Sequence, residues 1–232
     1  MIPIRDDNPT RITPYFTIGL IVINCLVFIY EFALGSQGFR EFTFQWGLIP
    51  VELMQGRDLM PAQYSHLATS PYLNVFTSMF MHGGIIHLAG NMLYLWIFGN
   101  NIEDVLGHFK FILFYILSGL AATLTFAFIN PNSQVPLVGA SGAIAGVLGA
   151  YAVRFPYARV YTLIWFFIFI RVVALPAIFL LGFWFLLQVI NSSSTLSGGV
   201  AWFAHIGGFV FGAAVFWIFG LRHRKRRWYV QR

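Results

Sequence analysis

The sequence predicts an all-α membrane protein built as one bundle of six spans, with a short fourth span and a first loop lying against the membrane. Three observations carry that expectation. Of the 232 residues, 58% are hydrophobic and only 9% are charged, where a soluble domain carries roughly 25% charged residues. Apolar runs near the ~20 residues needed to cross hydrocarbon recur along the chain, separated by polar segments. Lys and Arg collect on alternate sides of these runs, as they do in a chain threaded through a bilayer. The net charge of +6 does not point to nucleic acid, since six of the fourteen Lys and Arg residues lie in the tail after Leu221. The single cysteine, Cys25, has no intramolecular partner, so there is no disulfide framework.

Residues 1–12 are a short polar lead holding Arg5 and Arg11. The first apolar run, Pro14 to Leu34, leads into further spans and so reads as an anchor, with no cleavable leader evident. From Gly35 to about Leu73, Arg40, Glu41, Glu52, Arg57 and Asp58 are mixed with aromatics and prolines, a composition suited to an interfacial loop. The second span is expected from Phe76 to Phe98, followed by a charged turn at Asn101 to Asp104, and the third from Phe109 to Ile129. Asn130 to Pro136 is an uncharged loop. The fourth span, Gly139 to Arg154, is short for a crossing. Pro156 and Arg159 mark a turn, and Val160 to Ile170 is expected to be a membrane-embedded connection. Arg171 interrupts the apolar run, which places the fifth span from Val172 to Ile190. Asn191 to Gly199 is a Ser/Gly-rich loop suited to cover a cavity, Val200 to Leu221 is the sixth span, and 222–232 is a basic tail. The whole chain, 1–232, reads as a single membrane-embedded domain. With the N-terminus inside, cytoplasmic segments hold Arg5, Arg11, Lys110, Arg154, Arg159, Arg171 and the tail, and outer loops hold only Arg40 and Arg57. Both termini are therefore expected in the cytoplasm of a multi-pass plasma-membrane protein.

The chemistry centres on Gly139-Ala140-Ser141-Gly142-Ala143-Ile144-Ala145-Gly146. A serine here opens an apolar helix, beside backbone N–H groups that have no intrahelical partner and carry the positive end of the dipole. It can serve as a nucleophile next to an oxyanion site, or simply as an N-cap among packing glycines. Polar residues elsewhere in the spans decide between these, because such groups are costly in hydrocarbon. His87 and Asn91 share one face of the second span, four residues apart, and His205 lies in the sixth. At ~1.5 Å rise per residue, Ser141 and His87 stand about 20 Å, and His205 about 25 Å, from the inner ends of their helices. A serine, two histidines and an amide at similar depth supply a nucleophile, a base and oxyanion donors. The outer halves of the spans are read as holding no carboxylate, and Glu103 and Asp104 lie at the opposite face. A hydrolase here would therefore work with a Ser-His dyad. Gly208 and Gly212 share the His205 face, and Gly142 lines the fourth span, so small faces would bring the two helices together.

These residues resemble the rhomboid intramembrane serine proteases. The resemblance rests on Gly139-Ala140-Ser141-Gly142, on His82, His87 and Asn91 in His-x4-His-x3-Asn, on Ala204-His205-Ile206-Gly207-Gly208, and on Gly99-x3-Glu103-x3-Gly107. It covers about residues 14–221 in the minimal six-span form. It implies Ser141 as nucleophile, His205 as general base, and His87 with Asn91 as oxyanion-hole donors. Gly139, Gly142, Gly208 and Gly212 would be supporting residues. It further implies cleavage of transmembrane protein substrates near their extracytoplasmic ends, within the lipid bilayer, with no metal or cofactor. Two positions depart from the family pattern: Leu73-Asn74 stands where some members carry Trp-Arg, and Ala145 where some carry a tyrosine stacked on the base. His82 is expected to be a structural hydrogen-bonding residue, and His66, His108 and His223 to be solvated or interfacial.

Other classes fit less well. Zinc would want three or four ligands, and the sequence has no His-Glu-x-x-His and no cysteine near its histidines. Paired intramembrane aspartates are absent. A transporter would predict internal repeats with matched interrupted helices, and no such symmetry is present. A catalytically dead relative would normally lack the serine or the histidine, and both are here.

Overall fold

The computed structural model describes residues 1–56, 69–166, 169–192 and 201–221. The charged residues Arg57 and Asp58, His66, His223, the basic tail and most of the Asn191 to Gly199 loop lie outside the described residues. In chain order the elements are β1 (Ile2–Asp6), α1 (Tyr15–Ala33), α2 (Gly35–Trp46), α3 (Pro50–Gln55), α4 (Pro71–Thr77), α5 (Ile85–Tyr94), α6 (Asn100–Leu106), α7 (His108–Ile129), α8 (Ser141–Arg154), β2 (Arg159–Phe166), β3 (Phe169–Pro176), α9 (Ala177–Ser192) and α10 (Trp202–Ile218). Among the described residues, α1 and α7 are long and apolar enough to cross a membrane, while α9 and α10 are apolar but shorter.

The all-α expectation is corrected by a three-stranded antiparallel sheet, ordered β1-β2-β3. The stretch expected as a membrane-embedded connection is a hairpin, with Arg159 opposite Pro176 and Trp165 opposite Ile170. Its β-branched and aromatic residues favour the pleated surface. Its period of two is hidden because both faces are apolar, so a strand cannot be told from a buried helix by pattern. The fifth span accordingly begins at Ala177 rather than Val172. Pro176 disfavours helix at the residue before it, and the first α9 amides donate instead to loop carbonyls, Ala177 to Ala158 and Ile178 to Pro156.

The second span is also not one helix. After α4 comes a 3₁₀ turn at Ser78–Phe80, and α5 starts only at Ile85. Gly83 and Gly84, poor helix formers, lie in the break, which puts His87 in the first turn of α5. Beyond α5 a π turn, Leu95–Gly99, runs directly into α6. The charged segment expected as a turn is helical, and the chain reverses at Gly107, whose φ of 74° suits glycine. Buried Glu103 accepts hydrogen bonds from the Phe16 and Thr17 amides and the Thr17 hydroxyl, at 3.0, 2.8 and 2.7 Å. It thus satisfies the orphan amides at the start of α1. It also meets His108 Nδ1 at 2.6 Å, so that histidine is paired rather than merely solvated. The first loop folds into α2 and α3. Asn74, at the departing position, holds α4 to α2 by donating to the Gln45 carbonyl at 3.2 Å.

Helix α8 is the centre of the bundle, buried from Gly142 through Ala152. Its contact with α10 is backbone to backbone: a Cβ at Gly208 would overlap the Gly142 carbonyl oxygen, and one at Gly212 the Gly146 carbonyl oxygen. At the far end of α8, Tyr151 donates its hydroxyl to Asp6 Oδ2, which also accepts from Asn101 Nδ2 at 2.9 Å. This pins the sheet to the bundle, and burial raises the Asp6 carboxyl to about 6.

Two predictions follow from these contacts. Gly208→Ala and Gly212→Ala should each cost about 1–3 kcal/mol by overpacking, read as a lower thermal midpoint in detergent. Gly182→Ala, inside α9 where a Cβ meets nothing within 4 Å, should not lower the midpoint and should raise it slightly, since alanine is the better helix former. Because the folded state raises the Asp6 value above the ordinary 3.8, it favours the neutral carboxyl. That contribution is complete below pH 3.8 and is lost as pH rises towards about 6. Thermal unfolding across this window should show a downward slope with pH that Asp6→Asn reduces.

Candidate active site

Three helices bring the site together. Ser141 is the first residue of α8, and the cap position is taken by Ala140, with no side-chain capping bond. The serine hydroxyl is therefore not spent on the helix end. It points to α10, where Ser141 Oγ and His205 Nε2 share a hydrogen bond of 2.8 Å. The α8–α10 glycine contacts make that approach possible. Before the serine, Gly139 has a φ of 135°, which an L side chain rarely adopts. A Cβ there would also stand 2.9 Å from His87 Cε1, 3.1 Å from His87 Nε2 and 3.4 Å from Ser141 Oγ. The Gly139 amide donates to the Ser78 carbonyl at 2.9 Å, tying this turn to the 3₁₀ segment.

His87 and Asn91 line the same cavity as Ser141 and His205, a space of about 800 Å³. Asn91 is buried, and among the described residues its amide nitrogen has no hydrogen-bond partner. A buried donor left open is costly, and Asn91 is one of the residues lining the cavity that also holds the serine. The wall is largely apolar, with Ile144, Ala145 and Leu148 facing it from α8. It reaches Ser192 and Ala201, on either side of 193–200. Of the expected supporting glycines, Gly139 touches the site itself. Gly142, Gly208 and Gly212 serve helix contact, Gly142 also packing close to Ala122 of α7.

The missing tyrosine at Ala145 leaves the His205 ring to other neighbours. Trp184 of α9 lies 5.8 Å away at 38°, and Trp202 meets it edge-on at 6.2 Å and 86°. Gln188, also on α9 and 4% exposed, places Oε1 2.8 Å from His205 Nδ1. Sequence reasoning missed Gln188, although the rule that marked Asn91 applies equally to an amide within the predicted fifth span. His82 departs from its expected role: the ring is buried against His87, 5.2 Å between centroids, and among the described residues neither ring nitrogen has a hydrogen-bond partner. Its backbone N–H instead donates to Glu31 Oε2 at 3.3 Å. Glu31, 1% exposed near the end of α1, corrects the expectation that no carboxylate lies in the outer half of a span. The polar group on His205 is nonetheless an amide.

The chain is similar to several known proteins. The family model described as the rhomboid domain matches residues 69–222. The chain is 30% identical over 164 residues to rhomboid protein 1, mitochondrial, of Saccharomyces cerevisiae, covering 67% of this chain and 44% of that protein. It is 39% identical over 87 residues to rhomboid protease GluP of Bacillus subtilis, covering 37% and 16% of the two chains. Presenilin-associated rhomboid-like protein A, mitochondrial, of Danio rerio is 31% identical over 157 residues, covering 65% and 38%. The matched stretch spans less than half the length of each of these relatives. With two thirds of its residues under the family model and the motif residues gathered around one cavity, the chain belongs to the rhomboid family of intramembrane proteases.

Proposed function

We propose that this chain is an intramembrane serine endopeptidase that cleaves the transmembrane segments of other membrane proteins near their extracytoplasmic ends. The observation that carries the reading is the 2.8 Å hydrogen bond between Ser141 Oγ and His205 Nε2 at the wall of a cavity. A serine hydroxyl is a weak nucleophile until a base takes its proton. As Ser141 Oγ attacks the scissile carbonyl carbon, His205 Nε2 receives that proton. The carbonyl electron pair moves to oxygen, where the open Asn91 N–H, the His87 ring and the Ser141 amide at the start of α8 can donate to it. Collapse of this intermediate breaks the C–N bond, and His205 returns the proton to the leaving amine. Water, deprotonated by His205, then hydrolyses the acyl-enzyme, releasing a carboxylic acid and free Ser141. No metal or cofactor enters this sequence.

The apolar exteriors of α1, α7, α9 and α10 fit a bilayer setting, with Leu26, Phe109, Phe179 and Trp217 all exposed. In the reading adopted here six segments cross the plasma membrane, with both termini in the cytoplasm. The 85–106 helix forms the second crossing, and the sheet lies on the cytoplasmic side. Hydrolysis needs water at a site surrounded by lipid, and a cavity that Ser141, His87, Asn91 and His205 help to line is where buried polar groups are tolerated. A substrate helix would enter from the lipid and unwind locally to offer a carbonyl to Ser141.

Ser141→Ala and His205→Ala should each abolish cleavage of a model transmembrane substrate in detergent or proteoliposomes, with the double mutant no worse than either single. A serine-directed fluorophosphonate should label wild type and not Ser141→Ala; equal labelling of both would remove Ser141 as nucleophile. His87→Ala and Asn91→Ala should lower kcat by about 10²–10³-fold, the effect of losing one oxyanion donor, with little change in KM. Unchanged kcat with a raised KM would assign them to substrate binding instead.

A further inference from the structure

We propose that Gln188 is a positioning residue that fixes the protonation pattern of His205. The inference rests on the hydrolase reading above and deepens it. A neutral imidazole carries one N–H, and the partner of one nitrogen decides the state of the other. His205 can take the Ser141 proton only if Nε2 is bare, so the ring proton must sit on Nδ1. Gln188 is the partner of Nδ1, at 2.8 Å. An amide could in principle present either its oxygen or its nitrogen, and the neighbour on its other side decides which. Gln188 Nε2 lies 2.9 Å from the carbonyl oxygen of Trp184, one turn earlier in α9. A carbonyl can only accept, so the amide nitrogen must face Trp184 and Oε1 must face His205. Nδ1 is then obliged to donate, and Nε2 is left with its lone pair towards Ser141 Oγ, 2.8 Å away. The order of partners runs Trp184 carbonyl, Gln188 amide, His205 ring, Ser141 hydroxyl, and each link sets the next.

The choice of an amide has a physical reason. A carboxylate at this place would put a charge into apolar surroundings, at a large cost unless paired. An amide supplies the acceptor while leaving serine, histidine and glutamine uncharged at rest. Trp184 thereby acts twice: its ring packs on His205, and its backbone carbonyl orients the amide that orients His205.

The test compares wild type, Gln188→Leu and Gln188→Glu in detergent micelles. Gln188→Leu keeps the approximate volume and removes the acceptor. It should lower kcat at least ten-fold with KM within about two-fold, since a tautomer defect acts on chemistry rather than binding. Gln188→Glu, held neutral by its apolar surroundings, can donate its O–H to the Trp184 carbonyl and present its C=O to Nδ1, and should recover most of the lost turnover. ¹⁵N spectra of histidine-labelled protein provide a readout that packing alone would not move. His205 signals, identified by their loss in His205→Asn, should report Nδ1–H in wild type and a shift towards Nε2–H in Gln188→Leu. Wild-type kcat together with an Nδ1–H signal in Gln188→Leu would overturn the proposal, even with Ser141 and His205 established as the dyad. If Gln188→Leu does not fold, a proton on Nε2 in wild type is sufficient to overturn it. The spectra also read Gln188 independently of turnover, so an active Ser141→Ala would remove the Ser141–His205 dyad without deciding this proposal.

Discussion

The contact between α8 and α10 is the constraint on which the rest of the molecule depends. Ser141 and His205 come from helices 64 residues apart in sequence, and their side chains are short. They can share a hydrogen bond only if the two backbones approach more closely than ordinary side chains permit. Gly142 and Gly146 on one helix, facing Gly208 and Gly212 on the other, remove the atoms that would keep them apart. Because α8 is buried along almost its whole length, its position is set on every side. Gly142 and Gly146 also press against Ala122 and Ser118 of α7, so the close packing continues across a third helix. The site inherits that rigidity, which is what a preorganised hydrogen-bond array requires.

A protein with few charges must place each one where the backbone needs it. Glu103 closes the start of α1, Asp104 accepts the Arg11 and Ile12 amides, and Asp6 joins the sheet to Tyr151 and Asn101. These three carboxylates serve chain ends and strand attachment. Around the serine, by contrast, the polar groups are neutral: a hydroxyl, amides and imidazoles. Charge concentrates where helix ends leave amides open, while the region of the cavity relies on hydrogen bonds that need no charge. Glu31, among the described residues, meets this region through the backbone of His82.

The break before α5 has a similar logic. A continuous second helix from Phe76 would place His87 deep in a helical rod, with its face fixed by the turns on both sides. Ending α4 at Thr77 and restarting at Ile85 lets the intervening chain carry Ser78 to the Gly139 amide and His82 beneath His87. His87 and Asn91 then stand on the first turns of a new helix, both facing the cavity wall that Ser141 opens on the other side.

Much of the candidate site was legible from residue type and spacing alone. Ser141, His87, Asn91 and His205 are polar groups in apolar runs, where solvation cost makes each conspicuous, and the glycines at three- and four-residue intervals mark a close helix contact. The apolar runs at α1 and α7 were equally plain. Three features were decided only by tertiary structure. The 159–176 hairpin was hidden because an apolar run on both faces carries no period, and pairing with β1 selects strand over helix. The division of the second span has a local trace in Gly83 and Gly84, but the contacts of Ser78 with Gly139 and of His82 with Glu31 that hold it are tertiary. Gln188 was visible as an amide, but its relation to His205 was not. An acceptor's value depends on which nitrogen it reaches and on what holds its other end, and sequence spacing across two helices cannot specify either.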